Sequence, residues 1–206
     1  MTAADLNKLR ELAGVNAVMG DRRVFIGVDL GQRGSYTAIV VLERFDEMPG
    51  YTDMLRGVGL RRRYVVRQAE RVALGTPYPV VVMRVKQMVA ALEGIASCTL
   101  VVDESGVGVP VVEMMREVGI GCRIMPYVIT SGQASTSSSV PRAELVTKLQ
   151  MMAQRGELEI AQGCRYGEAL AWELVHLQLN GGGGGRGEHD DLALALALAC
   201  WKAKVR

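Results

Sequence analysis

The chain has 206 residues, of which 49% are hydrophobic but only 5% aromatic, and its formal net charge is +2. A chain of this length can bury the core of one domain, built mainly from aliphatic side chains. The weak positive charge neither requires nor excludes a nucleic-acid partner. The four cysteines form no CxxC pair, which argues against a zinc site and against a disulfide framework.

The first twenty residues predict a helical extension that precedes the main domain. Leucines lie near helical spacing, and Asp5, Lys8 and Glu11 lie among the apolar positions, which is untypical of a signal peptide. No uncharged apolar run approaches the roughly 20 residues that a membrane span needs. We therefore expect reduced thiols, no membrane partner and a cytoplasmic location.

An apolar, β-branched run begins at Arg23 and ends at Asp29, where glycines follow at once. This pattern is typical of a buried strand with a carboxylate at its exposed tip. A turn-forming cluster at 32–35 and a second β-rich run at 36–42 complete a predicted hairpin. Because burying an unpaired carboxylate is costly, Asp29 either caps the turn or holds a cation. The run alone leaves both interpretations open.

The middle of the chain alternates between predicted strands and helices. A loop at 43–59 leads to a basic third strand at 60–67, and strands at 98–103 and 122–127 follow helices at 76–94 and 110–119. This order after a hairpin predicts a mixed α/β sheet covered by helices. The arginines of the third strand suit either a solvated edge strand or a flank that contacts phosphates.

The last third of the chain combines polar linkers with helices. Residues 130–139 are of low complexity and residues 180–188 are rich in glycine, so we expect two flexible loops. Helices are predicted at 141–155, with Gly156 just past the end, and at 166–179, with at most a short strand at 158–160 between them. Leucine and alanine alternate from Leu192 to Ala199, as in a strand. Both are strong helix formers and none is β-branched, so we predict a buried final helix.

Carboxylates stand at the ends of these elements. Asp29 and Asp103 each end a predicted strand, and the carboxyl ends of parallel strands share one edge of a sheet. Asp190 and Asp191 begin the final helix, where capping explains one of the two. Carboxylates that converge repel each other unless cations lie between them. Hard oxygen ligands without a His or Cys cluster favour Mg²⁺ or Mn²⁺.

Several blocks of the sequence resemble the C-terminal nuclease domain of the large subunit of tailed-phage terminases. The blocks lie at 27–31, 101–108, 140–158 and 189–199. Taken in order and with their spacing, they extend the resemblance over nearly the whole stretch from Arg23 to Trp201. That family belongs to the ribonuclease H-like fold, alongside Holliday-junction resolvases of the RuvC type. The resemblance implies a single nuclease domain over 1–206 with a mixed five-stranded sheet flanked by helices.

The resemblance also implies an activity and a site. It implies an endonuclease that cleaves double-stranded DNA with two Mg²⁺ or Mn²⁺ ions in a prokaryotic or phage-infected cell. Asp29, Asp103 and Asp191 would be the catalytic metal ligands, with Asp29 bridging both ions and Asp190 as a further ligand. Partners in a packaging machine would be an ATPase domain, a small subunit or a portal.

Basic residues near the acids are candidates for contacting DNA. Arg186, in the glycine-rich loop, is the best of them, because such a loop can order on a polyanion. Arg33, Arg142 and Lys148 are weaker candidates, and a surface role is favoured for the latter two. His189 could assist catalysis, although a helix cap is the commoner role. No element suggests base readout, so we expect little sequence preference.

The chain also departs from the terminase pattern. It contains no GxxxxGK[ST] phosphate loop, so we expect either a nuclease domain of a longer protein or a stand-alone relative. Leu194 stands where many relatives have a further acid.

Other functions remain open. A RuvC-like resolvase would use the same acids in a dimer, and a non-catalytic DNA-binding module would need none of them. An actin-like sugar kinase would require a second lobe.

Overall fold

The computed structural model describes residues 22–31, 34–47, 55–57, 59–92, 95–132, 134–179 and 190–204. The predicted helical extension at 1–20 and the predicted glycine-rich loop at 180–188 lie outside these residues. So do Arg33, Arg186 and His189.

A seven-stranded mixed sheet forms the centre of the described structure, with strand order β6-β5-β4-β1-β2-β3-β7. The strands are β1 (Arg23–Asp29), β2 (Thr37–Glu47), β3 (Arg61–Val72), β4 (Ser97–Asp103), β5 (Arg123–Thr130), β6 (Ser139–Pro141) and β7 (Leu158–Ile160). Strand β2 runs antiparallel to β1 and β3, while the other neighbouring strands are parallel. The predicted fold class is confirmed, with two short strands beyond the expected five.

Helices cover both faces of this sheet. One face carries α1 (Tyr78–Leu92) and α2 (Gly108–Glu117); the other carries α3 (Arg142–Gln154), α4 (Gly167–Leu179) and α5 (Asp191–Lys204). Each face has its own apolar cluster, and β1 contributes alternate residues to the two. Phe25 packs on the α5 side and Ile26 on the α1 side. This alternation turns Gly27 and Asp29 toward α5.

The final helix packs across β2, β1 and β4. Residues 192–200 are all buried, which explains why leucine and alanine alternate there without a polar face. The prediction of a buried helix at this position is confirmed. A Cβ atom added to Gly27 would lie 1.8 Å from the carbonyl oxygen of Ala195, so helix and strand backbones are in direct contact at this point. Glycine at position 27 is therefore required by the close approach of α5.

Strand β2 is longer than the sequence pattern indicated. The loop predicted at 43–59 is wrong over its first five residues, because β2 extends to Glu47 and pairs with β3 as far as Arg61. The charged residues at 43–47 hid this extension. They have partners across the sheet: Glu43 accepts a 2.6 Å hydrogen bond from Arg67, and Asp46 accepts one of 3.0 Å from Arg62.

The basic strand β3 is not a simple edge strand. It pairs with β7 through Tyr64–Val66 and lies outermost only on either side of that short ladder. Arg62, Arg63 and Arg67 form ion pairs with acids of neighbouring strands. These pairs favour a structural role for the three arginines over a contact with phosphates.

The remaining differences are small. Ser139, placed in the predicted loop at 130–139, begins β6, since its neighbour Val140 is buried in the core. The four cysteines are free thiols. Within the described part of the chain, no helix is long and apolar enough to cross a membrane.

We predict that Gly27→Ala destabilises the protein by at least about 2 kcal/mol, because the added methyl group would overlap the Ala195 carbonyl. Urea denaturation measures this change in the free energy of unfolding. Gly59→Ala is the control, since a Cβ there meets open space. Equal stability of the two variants would refute the close contact.

Candidate metal centre

Two of the predicted acids meet at one edge of the sheet. Strands β1 and β4 are parallel neighbours in which Val28 pairs with Val102, so Asp29 and Asp103 follow side by side at their carboxyl ends. Val101 belongs to the apolar cluster under α5, and Asp103 therefore points to the same face as Asp29. The sequence-predicted pair of strand-end carboxylates thus lies under the start of α5.

The third predicted acid comes from α5 itself. Asp191 is the first residue of this helix and is 8% exposed, one turn before the contact between Ala195 and Gly27. The helix dipole favours a carboxylate at this terminus. Close packing of the helix at Gly27 brings Asp191 to the edge of the sheet where Asp29 ends β1.

Electrostatics show that these acids act on one another. The pKa of Asp29 is raised well above its usual range, first by burial and then by the charges of Asp103, Asp191 and Asp190. Arg142 acts in the opposite direction. An uncompensated carboxylate in such surroundings is destabilised, and a cation between the acids would remove the repulsion.

Two of the acids already have partners within the protein. Asp103 accepts a 2.8 Å hydrogen bond from the backbone amide of Ser105, which fixes its side chain in a turn. Asp190 pairs with Arg142, and its carbonyl accepts the amide of Leu194 at 2.9 Å, so it precedes α5 as a cap residue. Of the two adjacent aspartates, Asp191 is the more deeply buried.

The described residues contain no group of three or more His, Cys, Asp or Glu side chains arranged to hold a metal ion. The acids therefore share an electrostatic environment without forming a ready coordination shell. Their chemistry still fits a hard divalent cation, since all are carboxylates and Asp29 is destabilised in its charged form. A bound cation would have to draw the side chains together.

Glu173 is a further buried acid that the sequence analysis missed. It lies on α4, is 2% exposed, and accepts a 2.8 Å hydrogen bond from the backbone amide of Ala193 in the first turn of α5. It also pairs with Arg71 of β3. Burial outweighs the opposing effects of the Ala193 amide and Arg71 and raises the pKa of Glu173 to about 7. Glu173 thus fixes the end of the helix that carries Asp191.

A signal for Glu173 was present in the sequence. Leu170, Glu173 and Leu177 follow helical spacing, so the glutamate occupies the inward face of an otherwise apolar stripe. An acid on the apolar, inward face of a helix requires a partner from elsewhere in the fold.

The predicted DNA contacts that can be located lie in different surroundings. Arg142 pairs with Asp190 and so reaches the acid edge. Lys148 lies on α3 near the far end of α5, where its Nζ is 4.1 Å from the ring centroid of Trp201 and donates a 3.3 Å hydrogen bond to the Trp201 carbonyl. Trp201 is ten residues, or about 15 Å of helix, beyond Asp191, which favours a packing role for Lys148.

The strand order, with a final helix that carries an acid across the first strand, defines a ribonuclease H-like α/β fold. Within that class, the chain has the fold of a large-terminase nuclease domain. The large terminase nuclease of the thermophilic phage G20c, solved with bound zinc, is similar with a TM-score of 0.52 and 22% identity, covering 87% of this chain and 80% of that chain. At this identity the likeness shows the fold alone.

A second solved structure is a mutant nuclease domain of the large terminase subunit gp2 of bacterial virus Sf6 with manganese and β-thujaplicinol. It has a TM-score of 0.49 and 16% identity, covering 95% of this chain and 92% of that chain. No family model matches this chain, and no curated protein matches it.

We predict that Mn²⁺ raises the melting temperature of the wild-type protein and that Asp29→Asn abolishes this shift. A ligand that binds only the folded state stabilises it in proportion to the logarithm of its concentration. Without metal, Asp29→Asn should melt about 2–4 °C above wild type, because it removes a charge that burial and neighbouring acids disfavour.

Differential scanning calorimetry with and without Mn²⁺ measures both effects. Asp46→Asn is the control, since Asp46 pairs with Arg62 at the opposite end of the sheet. A metal-induced shift that Asp29→Asn retains in full would argue against the site.

We also predict a pH dependence that belongs to Glu173. Because its folded pKa of about 7 lies above the ordinary glutamate value of 4.5, the folded state binds the proton more tightly. The stabilisation is complete below pH 4.5 and is lost as the pH rises through 7, by roughly 3 kcal/mol in total. Urea denaturation from pH 4.5 to 8 should show this loss in wild type relative to Glu173→Gln. A constant difference between the two proteins would contradict it.

Proposed function

We propose that this chain is a metal-dependent endonuclease that hydrolyses phosphodiester bonds of double-stranded DNA. The observation that carries the proposal is the approach of Asp29, Asp103 and Asp191 at one sheet edge, where burial and then the charges of the other two acids raise the pKa of Asp29. A cluster of acids repels a phosphodiester by itself. It can serve DNA cleavage only with cations between the carboxylates and the phosphate, which is the reason to propose a divalent metal.

The ligand set would be Asp29, Asp103 and Asp191, for two Mg²⁺ or Mn²⁺ ions. When bound, such ions supply an activated water and stabilise the leaving oxygen of the phosphodiester. Asp29 would be a central ligand, because it ends β1 beside Asp103 and the charges of both other acids act on it. Asp190 has a weaker claim as a ligand, since Arg142 already neutralises it.

Other residues of the chain would hold this constellation in place. The Ser105 amide fixes the carboxylate of Asp103, and the Ser105 hydroxyl accepts a 3.0 Å hydrogen bond from the amide of Ile129 on β5. Glu173 ties the first turn of α5 to β3 through Arg71. These contacts anchor the acids on the rigid sheet and helix, which is what positioning of a reacting phosphate requires.

We predict that the purified protein nicks supercoiled plasmid with Mg²⁺ or Mn²⁺ and leaves 5′-phosphate ends. Asp29→Asn, Asp103→Asn and Asp191→Asn should each lower the rate about 100-fold or more, because each removes a metal ligand. Asp46→Asn should retain wild-type activity. Nicking that persists in chelator, or in Asp29→Asn, would overturn the proposed mechanism.

The same cleavage assay shows whether the protein prefers duplex DNA or a four-way junction. We expect linear duplex and plasmid to be cut at least as fast as a four-way junction of the same sequence. A strong preference for the junction would instead assign the site to a resolvase. If the protein binds DNA but cleaves none of these substrates with any metal, it is instead a non-catalytic DNA-binding module.

A further inference from the structure

A cleft of about 480 Å³ opens at the end of β3. Its polar walls come from Tyr36, Arg71, Thr76, Arg84, Arg165 and Tyr166. The cleft exists because β7 is short. It pairs only with Tyr64–Val66, and among the described residues no strand lies on the outer side of the last residues of β3, the side away from β2. The turn after β7, which carries Arg165 and Tyr166, forms the opposite wall.

The cleft lies on the same sheet edge as the acids. In the sheet register Asp29 pairs with Ala38, and Ala38 pairs with Arg71. Arg71 is thus two strands from Asp29, or about 10 Å, and faces the same side of the sheet. A nucleic-acid strand crossing this edge would pass from the acids to the cleft.

Two of the three arginines of the cleft lie over aromatic rings. The guanidinium of Arg71 lies 5.4 Å from the ring centroid of Tyr36, and that of Arg165 lies 5.5 Å from the ring centroid of Tyr166. Stacking on an aromatic face fixes the guanidinium plane and leaves N–H groups at its rim for an anion. Two arginines fixed in this way form a better phosphate site than mobile surface lysines.

The charge of the cleft also favours an anion. Arg71 pairs with Glu173 and Arg84 pairs with Glu70, so three guanidinium groups against two carboxylates leave one net positive charge. Arg165 is exposed and forms no ion pair within the described chain. Donors therefore remain available after the internal pairs have formed.

We propose that this cleft binds a backbone phosphate of the DNA strand that is cut. Each strand of a duplex carries one phosphate per 3.4 Å of helix axis, so a distance of about 10 Å corresponds to about two to three nucleotides from the cut bond. The inference rests on the proposed nuclease function and adds a second contact point to it. A contact to the backbone alone gives position along the strand without reading sequence.

Affinity measurements test this contact in an Asp29→Asn parent protein, which binds a short labelled duplex without cutting it. Arg165→Ala should weaken binding about five- to tenfold at low salt. It should also lower the slope of log Kd against log salt by the amount expected for the loss of one phosphate contact. Arg165→Lys should recover only part of the loss, because it keeps the charge without the planar fork. Fluorescence anisotropy at several salt concentrations measures both quantities.

Arg61→Ala is the matched control, since Arg61 is an exposed arginine at the opposite end of β3. A similar loss in Arg61→Ala and Arg165→Ala would mean diffuse attraction and would overturn the cleft. The cleft proposal would also be overturned if Arg165→Ala bound DNA with an affinity within twofold of the parent.

Neutral methylphosphonate linkages locate the phosphate. In the parent protein, one substitution about two to three nucleotides from the cut bond should weaken binding, whereas substitution further along should not. In Arg165→Ala the same substitution should cause no additional loss, because the two changes remove one contact. Additive losses at that position would overturn the assignment.

The two proposals fail in different ways. If wild type nicks plasmid and Asp29→Asn does not, while Arg165→Ala binds like the parent, only the cleft is wrong. If no metal supports nicking but Arg165 and one phosphate are coupled, the cleft stands as a DNA contact and the nuclease assignment falls.

Discussion

The direct contact between α5 and β1 at Gly27 is the constraint on which the candidate site depends. A side chain at this position would separate the helix from the strand, because its Cβ would overlap the carbonyl of Ala195. With glycine there, the helix lies against the sheet and its first turn reaches the end of β1. The glycine two residues before Asp29 therefore decides whether Asp191 lies near it. The helix is then buried without interruption from Leu192 to Cys200.

The fold tolerates converging acids because other contacts compensate for part of their repulsion. Arg142 neutralises Asp190, the Ser105 amide satisfies Asp103, and Arg71 accompanies Glu173 beneath the start of α5. Two apolar clusters, one on each face of the sheet, support the strands that carry the acids. Asp29 nevertheless carries an electrostatic cost, because burial and the neighbouring acids raise its pKa. A functional site commonly concentrates strain of this kind, while stability is supplied by the rest of the fold.

Much of this arrangement could be predicted from local patterns. Apolar runs that end in Asp29 and Asp103 marked two strand tips, and the absence of β-branched residues after Asp191 distinguished a helix from a strand. The extension of β2 to Glu47 was missed because its charges find partners only across the sheet. Glu173 was missed for the same reason: its partners, Arg71 and the Ala193 amide, are 102 and 20 residues away in the chain. Contacts of this type depend on tertiary packing, which local periodicity does not contain.

The most direct test of the central claim is a crystal structure of the protein with Mn²⁺, using the anomalous scattering of the metal to locate it. The account predicts anomalous peaks at the edge of the sheet, with Asp29 shared between them and with Asp103 and Asp191 completing the protein ligands. Peaks confined to other carboxylates, or Asp29 and Asp191 binding no metal at saturating Mn²⁺, would contradict it.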